Sequence, residues 1–406
     1  MATNSYRYLI TDIYMPSGSS SNPVLAELPF TNVNFVQQLN GIGSFQGELL
    51  LAGMPSALDT VNQTTPMQKA LFVDHNGQII WAGIITGRTY DSDAQKISIN
   101  AQEYEYLLQK RRINLYTGSA YYSSGAPGLV YTNIDAGTIL YDIVNNTQVN
   151  HSASGSYPAK RNTNIGISPD LFTTGSLVTR TYYDFELKSV YQALKDLSQG
   201  SFFDFKIIAQ YDAYQNIVLS MKVGAPAVAN SPLNRTYNAS TPSQAFVFNF
   251  PGNLTSYKYI EDGTRVANYA WGLGYGANNN KVLVAKTDTS KTGVGYTWPF
   301  LEDALNFIDV KNATTLGVMT AGIASGISYP PTTFQVSLPP WVDPPLGAYG
   351  VSYSYTIGDQ VRLVIKDEFW NLDYTNYRIT EIEVTPGSNG PDKVTITLML
   401  PYATIS

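Results

Sequence analysis

The chain has no cysteine. That absence removes disulfides, thiolate nucleophiles and cysteine-ligated metals together. A chain of 406 residues is long enough to bury a core without such staples. Histidine is almost as scarce, with only His75 and His151 present. Charged residues make up 14% of the chain, against roughly 25% in ordinary domains. The net charge is −6, and no basic block occurs anywhere. Phosphate backbones are bound chiefly by clustered lysine and arginine, so nucleic-acid binding is not expected. No apolar run approaches the roughly 20 residues of a membrane helix, so no membrane anchor is expected. The opening residues, MATNSYRYLITDIY, lack a basic region followed by an apolar block, and no signal peptide is read there. The expectation is a soluble protein made in a cytoplasm. Tyrosine, at 30 residues, fills the gap together with asparagine, serine, threonine and glycine. Such a surface suits wide subunit contacts or sugar stacking. Aromatic residues also favour strands, so a tyrosine-rich β protein has the same composition.

The clearest organisation lies in Met67 to Lys110, MQKALFVDHNGQIIWAGIITGRTYDSDAQKISINAQEYEYLLQK. Ala70 to Asp74 is a short apolar strand. Asn76-Gly77 follows, and a type I′ hairpin turn needs positive φ at both of its central residues. A long strand runs from about Gln78 to Tyr90. After the turn at Asp91 to Ala94, Lys96, Ser98 and Asn100 alternate with Ile97, Ile99 and Ala101, leaving one face wet and one dry. Asp359 to Leu400 repeats this grammar with little residue identity. A short strand (Gln360 to Ile365) leads to a long one (about Tyr374 to Val384), then to a Pro/Gly-rich breaker and a last strand, Lys393 to Leu400. The pattern points to two related small antiparallel β-barrels.

Length suggests roughly two or three domains. Residues 1–112 read as the first barrel, with strands at Tyr6 to Tyr14, Val33 to Gln37 and Ser44 to Ala52. Closure of such a barrel hides sheet edges. A short helix over Gln102 to Arg112 presents Tyr104, Leu107 and Leu108. Residues 113–240 read as an α+β insert, loop-like from Asn114 to Asn133. Asp135 caps a helix carrying Ile139, Leu140, Ile143 and Val144. A polar stretch without periodicity follows from Val149. Asp184 is expected to cap a second helix, with Leu187, Val190, Tyr191, Leu194 and Leu197 buried and Gly200 at its end. Strands Ser201 to Ala209 and Asn216 to Val223 complete the insert. Residues 241–330 form a connector of strands and two helices leading into the second barrel within 241–406. One helix begins at Pro299 with Leu301, Ala304, Leu305 and Ile308 on a stripe. The other is capped by Asn312 and carries Leu316, Met319 and Ile323. The fold class is therefore mainly β, with an α+β insert.

Candidate chemistry is thin. Gly272, Gly274 and Gly276 form GLGYG, but the dinucleotide fingerprint needs a further glycine where Ala277 stands and a helix beyond it; a turn or bulge is the reading. His75 in a hairpin turn and His151 in a polar loop have neither metal-site spacing nor a nucleophile beside them. Carboxylate pairs could cleave glycosidic bonds. The visible pairs are Glu103 with Glu105, Asp91 with Asp93, and Glu302 with Asp303. The first two fall at a strand or helix end and in a turn. The third falls in the first turn of the expected Pro299 helix, where acids suit the dipole. Structural roles are favoured for all three, and no catalytic, cofactor or metal residue is assigned. Trp81 and Trp271 are expected in the core. Trp298 is a further possible sugar platform, and Trp341 and Trp370 lie in loops as candidate interface residues.

Taken in order, three passages resemble the baseplate-hub or tail-hub class of tailed-phage minor tail proteins. They are the meander Ala70 to Arg111; Val178 to Ile207, VTRTYYDFELKSVYQALKDLSQGSFFDFKI; and the C-terminal runs VANYAWGLGYG, PFLEDALNFIDVKNATTL and PPLGAYGVSYSYTIGDQVRLVI. Asn114 to Ser176 shows no such likeness. The resemblance implies a homotrimer in which two related barrels per subunit build a pseudo-sixfold ring. Such a ring would join a sixfold tail-tube ring protein to threefold tip or fibre proteins, and hold the end of the tape measure protein, at the tail tip of a virion. No cofactor is implied. Two other functions compete with this one: a carbohydrate- or receptor-binding tail module, and, less favoured, a cell-wall-degrading enzyme.

Overall fold

The structure, a computed structural model, describes residues 5–14, 22–51, 57–114, 118–122, 128–150, 160–225, 233, 246–288, 298–339, 345–349, 354–387 and 392–400. Strands β1 (Tyr6–Asp12), β2 (Ala26–Glu27), β3 (Thr31–Gln38) and β4 (Ser44–Leu50) come first. Helix α1 (Ala57–Gln63), the meander β5 (Lys69–His75), β6 (Gln78–Asp91) and β7 (Lys96–Glu103), and helix α2 (Glu105–Lys110) follow. The middle holds β8 (Gly128–Asp135), α3 (Ala136–Asn146), β9 (Ile167–Pro169), β10 (Leu177–Tyr183), α4 (Val190–Ser201), β11 (Asp204–Tyr211) and β12 (Ile217–Gly224). Next come β13 (Val247–Phe250), β14 (Ser256–Glu261), β15 (Tyr269–Leu273), β16 (Leu283–Thr287), β17 (Glu302–Asn306) and α5 (Ala313–Ile327). The chain closes with β18 (Thr332–Leu338), β19 (Gln360–Lys366), β20 (Asn371–Thr385) and β21 (Lys393–Met399). The fold is mainly β, as the alternating patterns predict.

Both meanders join one 13-stranded sheet, each within a six-stranded half, with β2 added beside β1 as the thirteenth strand. The first half runs β1-β5-β6-β7-β4-β3, and the second runs β13-β19-β20-β21-β18-β14. Corresponding strands also follow one another in the same chain order, so the repeat is one of strand order; its outermost member differs in direction, β1 pairing antiparallel with β5 and β13 parallel with β19. The long middle strands carry the same irregularity. Beside β7, Ile85 faces Ala101 and Gly87 faces Asn100, leaving Thr86 as an extra residue. Beside β21, Ile379 faces Leu398 and Glu381 faces Thr397, leaving Thr380. Each bulged threonine hydroxyl donates to the carbonyl across the strand, Thr86 to Asn100 at 3.3 Å and Thr380 to Thr397 at 3.2 Å. A bulge of this kind re-aims and twists a strand. In β20 it falls where the strand leaves its short partner β19 and takes a different partner further along.

The halves are joined by main-chain pairing. Beyond its bulge, β20 pairs antiparallel with β3, Glu381 to Val384 lying against Gln38 to Phe35. Leu39 N also donates to the Thr380 carbonyl at 2.9 Å. Phe35, Trp81, Phe334, Ile382 and Val384 belong to a single core shared by the two halves. The opposite face of β5 and β6, through Phe72, Ile79 and Ile84, packs into a second core with α3, α4, β11 and β12. Ala70 to Val73 are thus buried on both faces, which explains why that strand reads as a continuous apolar run and not an alternation. The expected Asn76-Gly77 turn is present, with φ of 54° and 83°.

Several expectations are corrected. The helix expected from Pro299 is strand β17, paired parallel to β15 from Tyr269↔Glu302 to Leu273↔Asn306. Leu305 and Phe307 point inward two residues apart and Ile308 is exposed, a strand spacing that pairing with β15 selects over the helical stripe. The α4 cap is Ser189, whose hydroxyl accepts from Gln192 N. Asp184 sits in a short 3₁₀ turn that ends at left-handed Leu187, so Leu187 lies outside the helix and is half exposed. Gly200 does not end α4; a Cβ there would sit 2.7 Å from Met319 of α5, so the glycine lets two helices approach closely. Strand β8 occupies the end of the stretch read as loop-like, and β9 and β10 lie within the stretch read as aperiodic.

The shared core sets a stability difference. Ile382→Ala should lower unfolding free energy by about 2–5 kcal/mol, read by denaturant titration. Tyr90→Ala, on the corresponding long strand but 60% exposed, should change it by less than about 0.5 kcal/mol in the monomer.

Candidate functional site: a buried charged junction

The densest set of convergent polar groups lies where the middle of the chain meets both halves of the sheet. Glu103 ends β7, Glu105 opens α2, Asp204 and Lys206 lie on β11, and Arg378 lies on β20. All five are at most 3% exposed. Lys206 Nζ sits 2.5 Å from Glu103 Oε2 and 3.5 Å from Glu105 Oε1, and donates to the Gln38 carbonyl at 3.0 Å. Glu103 also accepts from Gly43 N at 2.7 Å and Gln38 N at 3.3 Å. Glu105 accepts from Ile207 N at 2.8 Å. The Arg378 guanidinium pairs with Asp204 and donates to the Leu233 carbonyl at 2.9 Å. Asn40, in the β3–β4 turn with φ of 54°, donates to Asp204 and accepts from Phe205 N at 2.8 Å. Its carbonyl accepts from the Tyr191 hydroxyl at 2.9 Å.

Burial pushes Glu103 up to about 7; the Lys206 ammonium opposes this and neighbouring Glu105 adds to it. Burial alone would lower Lys206, but the two carboxylates outweigh it and hold its ammonium above the ordinary value. One ammonium faces two carboxylates, and the like charge of Glu105 is part of what makes Glu103 harder to ionise. The adjoining cavity, beside Trp81, Glu103, Lys206 and Tyr349, measures about 30 Å³. That is room for water and none for a sugar ring. The Glu103–Glu105 pair is therefore a structural clamp between strands.

The remaining candidates are scattered. The Asp91 carboxylate accepts from Asp93 N and Ala94 N, both at 3.0 Å, and so builds its turn. Glu302 stands on β17, not in a helix, and accepts from Trp271 Nε1 at 2.8 Å. Trp271 is half-buried, contrary to the expectation of a core position, whereas Trp81 is in the core. His75 stacks on Tyr6 at 4.6 Å, and its imidazole is held below its ordinary pKa by burial. His151 and Trp341 lie outside the described residues. Trp370 is half-buried, 4.8 Å from the ring of Tyr259 on β14. Trp298 is 37% exposed at the surface. Gly272 of the GLGYG run lies under α5, where a Cβ would meet the Thr320 hydroxyl at 2.0 Å, and Gly276 has φ of +115°. Those glycines serve packing and a turn. A groove of about 540 Å³ between β16 and α5 is walled by Val284, Ala313, Gly317, Val318 and Ala321, with Lys286 as its charged residue. Sequence reasoning singled out Glu103 and Glu105 but missed Lys206, Asp204 and Arg378. The one signal was a lysine inside the apolar run Phe205 to Ile208.

The arrangement as a whole, two sheet halves of matching strand order with an α+β layer on one face, is a fold shared with tail proteins of solved structure. It matches the 43 kDa tail protein of prophage MuSo2 from Shewanella oneidensis over 98% of this chain and 100% of that one, with TM-score 0.55 and 11% identity. It matches prophage tail protein gp18 from Listeria monocytogenes over 98% of this chain and 95% of that one, with TM-score 0.50 and 13% identity. A Francisella PdpA–VgrG complex is also similar, over 100% of this chain and 59% of that one, with TM-score 0.51 and 9% identity. No family model matches the sequence, and no curated protein does either.

The junction makes two predictions. Lys206→Met leaves two buried carboxylates without a counter-charge and should cost about 3–5 kcal/mol of stability, measured by denaturant unfolding. Glu103 keeps its proton in the folded state to about pH 7, against 4.5 ordinarily. Its contribution to stability is thus fully present below the lower value and lost as pH rises through the upper one. Glu103→Gln should flatten the fall in melting temperature between about pH 5 and 8; an unchanged slope would show that Glu103 does not set it.

Proposed function

We propose that this chain is a structural hub at the tail tip of a tailed phage, a homotrimer whose six sheet halves form a pseudo-sixfold ring. The observation that supports this reading best is the repeat of strand order, chain order and bulge in the two halves of the sheet. A sixfold partner meets similar surfaces six times only if each of three subunits offers the same motif twice. The fold shared with phage tail proteins points the same way. In this reading residues 1–112 and 241–406 are the hub repeats, with 241–330 the connector into the second, and 113–240 is the insert clamped to both by the charged junction. The ring joins a sixfold tail-tube ring protein to threefold tip or fibre proteins and holds the end of the tape measure protein. Trp370, packed against β14 beside the end of the sheet, stays a contact candidate. The role is mechanical and needs no catalytic residue, which fits carboxylate pairs spent on turns, a tryptophan and a lysine clamp.

Light scattering over a concentration series tests this directly. The expected species is a trimer of 44.5 kDa subunits. A closed dimer would fit no threefold ring and would contradict the reading.

A further inference from the structure

The junction between the two halves has a counterpart that no described strand of the same chain fills. Strand β3 covers β20 beyond its bulge, Gln38 to Phe35 against Glu381 to Val384. With the bulged Thr86 and Thr380 superposed, Gly87 to Tyr90 of β6 correspond to Glu381 to Val384. That stretch of β6 pairs with β7 on one side. On its other side, main-chain bonding among the described residues stops at the Ile85 carbonyl, which accepts from Met67 N at 2.8 Å. The counterpart of β3 is β14: Phe35 faces Phe45 on β4, Tyr259 faces Phe334 on β18, and Phe45 and Phe334 both lie opposite the residue before the bulge pair, Ala101 and Leu398. Strand β14 pairs with β18 and, among the described residues, ends the sheet. Within one chain the open stretch of β6 and the end strand β14 lie at different places in the strand order, separated by β18, β21, β20, β3, β4 and β7.

We infer that β14 of a second copy of this chain pairs antiparallel with β6, repeating between subunits the β3–β20 pairing made within each. This rests on the ring reading and supplies its subunit contact. The register follows from the internal pair: Tyr259 opposite Tyr90, Ile260 opposite Thr89, Glu261 opposite Arg88. Burial supports it. Tyr90 is 60% exposed, whereas its counterpart Val384, covered by β3, is fully buried. Charge supports it too. Glu261 comes opposite Arg88, whose guanidinium also donates within the chain to the Val61 carbonyl and to the Thr64 hydroxyl at 3.2 Å, and opposite charges facing across strands stabilise a pair. Asn34 donates to Glu383 and Thr385, both at 3.0 Å, and the corresponding Lys258 is placed to meet Thr89 and Asp91. An open strand edge presents unpaired N–H and C=O groups that template such addition. The two surfaces differ, so the contact runs head to tail, the kind that closes rings.

The absence of native cysteine makes disulfide trapping clean. Directly opposite residues on antiparallel strands lie about 4.5–5.5 Å apart between Cα atoms, within disulfide reach. Full-length Thr89→Cys chain is mixed with full-length Ile260→Cys chain and oxidised, with the Thr89→Cys and Ser256→Cys mixture as the off-register control. The expected result is a species of twice the subunit mass on a non-reducing gel for the first mixture only. If light scattering gives a trimer but this mixture does not cross-link, or cross-links no better than the control, the pairing is overturned and the ring stands. Cross-linking in register without a trimer supports the pairing and overturns the threefold ring. A chain that stays monomeric at every concentration and does not cross-link overturns both.

Discussion

A strand edge in water or protein must have its N–H and C=O groups satisfied, and this constraint shapes the whole molecule. The β3–β20 pairing meets it where the two sheet halves join. The bulge at Thr380 makes that pairing possible, because it releases the end of β20 from alignment with β19 and offers it a new neighbour. Everything else is arranged about this seam. The shared core packs on one face of it. The charged junction of Glu103, Lys206, Asp204 and Arg378 locks the insert to the β3–β4 turn and to β20 at the same place.

The junction is costly to bury and is organised accordingly. Each carboxylate is met by a cation or by main-chain amides, and burial beside Glu105 raises the pKa of Glu103 against the pull of Lys206. A second buried set, Arg180 with Asp309 at 3.1 Å and Lys188 with the same carboxylate at 3.1 Å, ties β10 to the segment after β17. Burial opposes ionisation of Asp309, but Arg180 and Lys188 overcome it and hold the carboxyl below its ordinary range. Paired buried charges of this sort add little net stability, yet breaking one partner is severe. They define how the layers seat against one another and offer no open site for a substrate.

Much of the fold is legible in the residues. Alternation marks β7 and β21, Asn76-Gly77 marks the hairpin, and Asp135 and Asn312 cap α3 and α5 as their side chains predict. The errors have physical causes. Leu301, Leu305 and Ile308 fit a helical stripe, but the available edge of β15 recruits the segment as a strand. Asp184 and Ser189 both suit a helix cap, and only the left-handed turn at Leu187 separates them. Strand β8 reads GLVYTNID, too polar at its end to stand out. The charged junction brings together residues up to some 340 positions apart, such as Asn40 and Arg378 around Asp204, so no local pattern discloses it. The shared Ile-Thr at Ile85-Thr86 and Ile379-Thr380 is the one residue-level trace of the repeated bulge.

The central claim is that two equivalent sheet halves per chain build one continuous ring. Electron-microscope class averages of the assembled chain, viewed down the ring axis, test it most directly. The account predicts six similar lobes around a central opening, with alternate lobes equivalent by threefold symmetry. A ring with three lobes only, or a twofold particle without an opening, would contradict it.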